Sequence, residues 1–336
     1  MLTPDQILSL APDDASAKAA KGLLTPGKWP TLGSNDAAIW GECQGSGSKP
    51  YQVSIDLAGP TFKCTCPSRK FPCKHGLAVY LLRAQKADAF TAHDPPPWVA
   101  EWLAGRKDRA EKKAAKADAT ATEKAASPPD PEAAAKQEAK RLDRMRSGAR
   151  DLERWLADLV KHGLSDLTSK PPTFWREAAA RLVDAQATGL AAQVRLLEDA
   201  TRSGAGWPER ALAQMGRMQL LIDALNRFES LPEALRAEVR TACGWPLDRD
   251  AVLTQGERVS DTWFVQGQSF EEVDRLWERR VWLQGRTSRR QAMLLDFSHG
   301  QRRYDQGFVT GAWFKATLAF FPGQRPLRAL LADAPQ

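Results

Sequence analysis

Apolar positions along this chain change their period three times, and each change marks a different kind of element. Thr3-Pro4-Asp5-Gln6 supplies a capping residue, a proline for the first helical position and a capping-box glutamine, so a short helix to about Leu10 is expected. A second helix is expected from about Asp14 to Leu24. Ala38 to Gln44 reads as a strand, and Tyr51, Val53, Ile55 and Leu57 then alternate with Gln52, Ser54 and Asp56, the period of a half-buried strand. Gly59-Pro60 turns the chain into a return strand from Phe62 to Cys66. Past His75, helical spacing resumes in Leu77, Ala78, Leu81 and Leu82.

The second change is a loss of pattern. From Ala104 no Leu, Ile, Val, Met or aromatic residue occurs until Leu142, so this stretch of Ala, Lys, Glu and Pro lacks the apolar surface to offset its ordering entropy and reads as a linker. Order resumes with Leu142, Met145, Ala149, Leu152, Leu156 and Leu159, a 3-4-3-4-3 seam ended by Gly163. Further helices are expected from about Phe174 to Thr188, Leu190 to Thr201, Pro208 to Glu229 and Pro232 to Ala242. An intramolecular bundle of about five helices follows.

The third change is to short alternating runs. Thr262 to Gln266, Arg280 to Leu283, Ala292 to Phe297, Ala312 to Phe321 and Leu327 to Leu331 are expected strands, with Phe270 to Glu278 as a helix between the first two. The fold class is therefore α+β and multidomain: an N-terminal module over 1–103 with its core at 38–86, a linker over 104–140, a helical domain over 141–246, and a small antiparallel β region or partial barrel over 247–336. An OB-like nucleic-acid surface on that last part would draw on Trp263, Trp282 and Trp313 with Arg286, Arg289, Arg290, Arg302 and Arg303.

The chemistry concentrates in one place. Three of the five cysteines and one of the four histidines fall within KCTCPSRKFPCKHG, as Cys64-x-Cys66 and Cys73-x-His75. Three thiolates and an imidazole fill a tetrahedral zinc site and leave no open position, so the ion is structural. Cys64 and Cys66 are too close for an easy disulfide, and no C-x-x-C redox pair occurs. Cys43 reads as packing, and the loop Gly45-Ser46-Gly47-Ser48 as a hairpin turn without the Lys-Ser/Thr end of a P-loop.

This spacing, with the flanking WGECQGSG and CPSRKFPCKH, resembles the SWIM zinc finger and its bacterial members, over roughly Trp29 to Leu82. The resemblance implies a β-hairpin followed by a helix, Cys64, Cys66, Cys73 and His75 as zinc ligands, and an association with DNA or proteins. Bacterial members tend to be encoded beside AAA-type ATPases and von Willebrand A domain proteins, which implies partners of those kinds.

Charge adds one feature. Between Leu57 and Ala87 there is no acidic residue, while Lys63, Arg69, Lys70, Lys74, Arg83 and Lys86 are basic. A Cys3His zinc site has a formal charge of about −1, so these cations either offset it or form a landing patch for nucleic acid or a partner, with Lys63, Arg69, Lys70 and Lys74 as its expected contacts. Residues 1–103 balance ten basic against nine acidic side chains within an overall charge of +7, which favours a protein partner over nucleic acid. No P-loop, dinucleotide fingerprint, H-E-x-x-H or G-x-S-x-G motif points to an enzyme. With no signal-peptide pattern at MLTPDQILSL and no long apolar run, a soluble cytoplasmic protein is expected.

Overall fold

A computed structural model describes residues 2–45, 49–109, 112, 131–245, 247–273 and 276–335. It divides into two compact units: Met1–Asp118 with Gly256–Phe321 and Leu327–Gln336, and Ala119–Gln255 with Pro322–Pro326. The N-terminal elements and the C-terminal strands thus share one unit.

In that unit α1 (Pro4–Leu8) starts on the expected capping box, with the Thr3 hydroxyl accepting from the Gln6 amide and the Gln6 side chain from the Thr3 amide. After α2 (Asp14–Lys21) come β1 (Thr31–Ser34), β2 (Ala38–Cys43), β3 (Tyr51–Asp56), β4 (Thr61–Cys64), α3 (Lys74–Gln85) and β5 (Thr91–Ala92). The strands form a five-stranded sheet in the order β4-β3-β2-β1-β5. Strands β1 and β5 carry too few apolar positions for an alternation to show. What builds β1 is long-range fit: a side chain at Gly33 would come within 2.4 Å of Trp40 Nε1. Alpha-helix α3 covers the sheet through Leu77, Ala78, Leu81 and Leu82, all buried against Val53, Ile55 and Phe62. Cys43 is wholly buried in the same core, and burial pushes its thiol pKa up.

The low-hydrophobicity stretch is helical at both ends. Helix α4 covers 97–109, and another helix begins at 131; residues 110–111 and 113–130, most of the expected linker, lie outside the described residues, as do Ser46, Gly47 and Ser48.

The C-terminal strands close into a barrel: β6 (Arg258–Val273), β7 (Leu276–Gly285), β8 (Gln291–His299), β9 (Trp313–Phe320) and β10 (Arg328–Leu331), in the order β10-β8-β7-β6-β9. The helix expected over 270–278 is not formed. Phe270, Val273 and Trp277 mimic helical spacing, but the segment is the end of a long hairpin in which Phe270 pairs with Arg279 and Glu271 with Glu278. Arg280 crosses that hairpin to pair with Glu271 and also pairs with Glu278 on its own strand. Nor is the sheet wholly antiparallel, since β10 runs parallel to β8. Trp263, Val265, Val281, Leu283, Leu294, Leu318 and Phe320 fill the interior.

The second unit is helical. Helix α5 (Pro131–His162) is followed by α6 (Pro172–Asp184), α7 (Thr188–Thr201), α8 (Trp207–Asn226), α9 (Glu233–Ala242) and α10 (Arg249–Gln255). The α5 seam from Leu142 to Leu159 is buried at all six positions, packed with Trp175, Leu182, Val194, Met215, Met218 and Ile222. Gly163 ends α5 at φ +84°, where a left-handed residue is needed. Among the described residues no helix is long and apolar enough to cross a membrane.

Candidate metal centre

Each ligand is delivered by a separate local cause. Strand β4 ends at Cys64, which pairs with Val53 across the ladder, and period two carries Cys66 to the same side. The chain then loops through Pro67 to Pro72, which cannot continue the ladder, and returns at Cys73, the extended N-cap of α3. His75 lies on the first turn of that helix.

The four ligand atoms all lie within 4.8 Å of one another, and His75 Nδ1 is 3.9 Å from Cys64 Sγ. A zinc ion about 2.3 Å from each sulfur would set the sulfurs roughly 3.8 Å apart, so the cluster fits one tetrahedral zinc without rearranging the backbone. Cys73 and His75 are buried, whereas Cys64 and Cys66 are partly exposed. Hydrogen bonds from the Cys64 thiol, then from His75 and the Gly76 amide, hold the Cys73 thiol down at about 4. Cys64 is pushed up, chiefly by its hydrogen bond to Cys73, and Cys66 by burial, so zinc must displace protons from these two.

The residues behind the ligands fix their positions. The Tyr51 ring lies against His75 at 5.0 Å between centroids. Phe62 is wedged between Phe71 at 6.3 Å and Tyr80 at 6.2 Å. Gly76 passes so close to Phe62 that a Cβ would sit 2.9 Å from its ring. Apolar alternation finds Phe62 but gives no sign of the role of Gly76.

The basic residues divide. Lys70 pairs with Asp13 at 2.7 Å and, as its strongest partner, draws that carboxyl pKa down to about 2. Arg83 donates from Nε to Ser34 Oγ at 3.0 Å and lies over the Phe90 ring. Among the described residues Lys63, Arg69 and Lys74 form no ion pair. Arg106 gave no signal in a stretch read as linker. It bonds Asp56 at 2.9 Å, Thr61 Oγ1 at 3.2 Å and the Asp305 carbonyl at 3.2 Å, tying α4, the zinc module's hairpin and the loop before β9 together.

Of the aromatic and basic residues expected on an OB-like surface, Trp263 is not available. It is fully buried, with Nε1 donating to the Ala316 carbonyl at 3.0 Å. Trp282 and Trp313 do face outward, Arg290 is paired with Glu257, and Arg302 and Arg303 lie over Trp277 and Phe71.

A closed set of three thiolates and one imidazole, split between a β-hairpin and the first turn of a helix, defines a zinc-finger protein with one structural ion. Residues 51–84 match the SWIM zinc finger and residues 140–243 match the SWIM-associated four-helix bundle domain, so the chain carries both of these domains. The second match spans α5, from residue 140, through α9 and ends at Cys243, a thiol that burial pushes up to about 12. No curated protein and no solved structure matches the chain.

Proposed function

We propose that this protein is a non-enzymatic, zinc-stabilised adaptor that holds another protein through its helical unit. The observation that carries the reading is a groove along α5 and α6. One cavity of about 250 Å³ is lined by Gly148, Leu152, Trp155, Ala178 and Leu182. A second, of about 260 Å³, continues from Trp155 to Leu159, Leu167 and Phe174. Arg144, Asp151 and Arg181 edge the first, and Asp158, Asp166 and Lys170 the second. An apolar floor with mixed charge on its rim suits the apolar face of an amphipathic helix. By analogy with the family, an AAA-type ATPase or a von Willebrand A domain protein is the proposed partner.

The test is affinity capture with the intact chain at two salt concentrations, with and without nuclease, beside an Ala178→Glu variant that blocks the groove. A defined protein retained at high salt after nuclease and lost with Ala178→Glu supports the adaptor. Loss of all capture on nuclease treatment overturns it.

A second reading, nucleic acid on the zinc module, is favoured by one observation: Lys63, Arg69 and Lys74 lie on the segments that carry the ligands and have no ion-pair partners among the described residues. Binding of that kind weakens steeply with salt, and changing these three to Ala flattens the slope. An unchanged slope in the triple variant removes this site.

A further inference from the structure

We infer that the outer face of the C-terminal barrel binds single-stranded nucleic acid, independently of the zinc module and of the helical groove. The first support is connectivity. Counting the barrel strands β6 to β10 as one to five, three run as a meander, the fourth pairs with the first, and the fifth lies antiparallel to the fourth and parallel to the third. That is the connectivity of an OB-type barrel, in which strands two and three form the exposed ligand face. Here those strands are β7 and β8.

The second support is what this face exposes. Trp282 on β7 is 38% exposed and Phe297 on β8 is 51% exposed, although their neighbours Val281, Leu283 and Leu294 are buried in the barrel core. Met293 is the cross-strand partner of Trp282, so an apolar ribbon runs along the outside of the pair. Trp313, 53% exposed at the start of β9, stacks on Phe264 with ring centroids 4.8 Å apart. A sheet that has already filled its interior with Trp263, Phe308 and Phe320 has no packing use for three more outward aromatics.

The third support is the shape and chemistry beside Trp282. A groove of about 400 Å³ runs beside Trp282, lined also by Gln266, Gly267, Gln291 and Leu327. Gly267 lies at the register shift in β6, and no atom lies within 4 Å of where its Cβ would be, so a ligand can reach the backbone there. The glutamine amides offer both donors and acceptors to base edges.

Charge decides between a nucleic acid and a peptide. Arg280 is neutralised by Glu271 and Glu278, and the Asp261 carboxylate is occupied by the Thr287 and Ser288 amides. That leaves Arg286, 5.8 Å over the Trp313 ring, with Arg289 and Lys315, all without ion-pair partners among the described residues. Cations beside flat aromatic rings suit phosphates and unpaired bases. The bases of a duplex are already stacked, so a single strand is the fitting ligand.

The test uses the full chain with fluorescently labelled oligo-dT, oligo-rU and a duplex of equal length, read by anisotropy at rising salt. Both single strands are expected to bind more tightly than the duplex, and the tighter of the two identifies DNA or RNA. Trp282→Ala combined with Phe297→Ala should weaken binding at least about fivefold, while Trp282→Tyr retains it and thermal unfolding is unchanged. No binding of either single strand at low salt would overturn the inference. So would binding that survives the aromatic variants but is lost when Lys63, Arg69 and Lys74 become Ala, since the site would then be the zinc module. Equal affinity for duplex, unaffected by the aromatic variants, would overturn it as well.

Discussion

At the scale of the residue, the zinc ligands are the point at which most depends on fewest atoms. Removing one thiolate leaves three ligands, and metal binding of about 10 to 16 kcal/mol in small fingers is comparable to the whole stability of a domain. Cys66→Ser is therefore expected to drop bound zinc from one ion per chain to none and to unfold the N-terminal module, with zinc read by elemental analysis and order by NMR. Retention of a fully ordered module would rule out a structural zinc. Gly76 is the second sensitive position. Its missing side chain makes room for Phe62, which Phe71 and Tyr80 hold from other sides, so Gly76→Ala should cost about 1 to 3 kcal/mol in chemical denaturation by overpacking. The ligand set was legible because Cys-x-Cys and Cys-x-His are local spacings. Gly76 was not, because its constraint comes from a ring fourteen residues earlier that meets it only after folding.

At the scale of the element, the long α5 seam is the part of the helical unit that most directly converts pattern into stability. Met145 is fully buried in the middle of it, and Met145→Ala should destabilise the bundle by about 2 to 5 kcal/mol in denaturant unfolding, the usual cost of emptying a core site. A loss below about 0.5 kcal/mol would mean that α5 does not pack as described. Elements with four or more periodic positions, such as α5, α3 and β3, were legible from the chain. The β6–β7 hairpin was legible in its two arms but not at its end over 270–278: acidic and apolar residues there follow a helical rhythm, and only pairing with β8 and the Arg280 ion pairs select strand.

At the scale of the whole molecule, the chain divides into two compact units, and the zinc cluster lies in only one of them. Calorimetry with a chelator should lower or abolish the transition of the zinc-bearing unit and leave that of the helical unit in place. A single transition that shifts as a whole would show that the two units unfold together. Acidification should act in the same direction as the chelator. Cys64 and Cys66 hold their protons to a higher pH than an ordinary thiol, so bound zinc competes with protons and is released as pH falls.

The sequence by itself determined the zinc ligands, the order of a mixed module, a helical domain and a strand-rich end, and the periodic faces that build their cores. These are properties of neighbouring residues, and short-range spacing encodes them. Only the tertiary structure decided which distant pieces share a compact unit. It joined the N-terminal module to the barrel through Arg106, closed five strands with one parallel pair, buried Trp263 and left Trp282 and Trp313 outside. It also spent Lys70 on Asp13 and Arg83 on Ser34, leaving Lys63, Arg69 and Lys74 as the unpaired cations beside the zinc site among the described residues. The physical reason is common to all of these: strand closure, side-chain burial and ion pairing depend on contacts between residues tens to hundreds of positions apart, which no local period records.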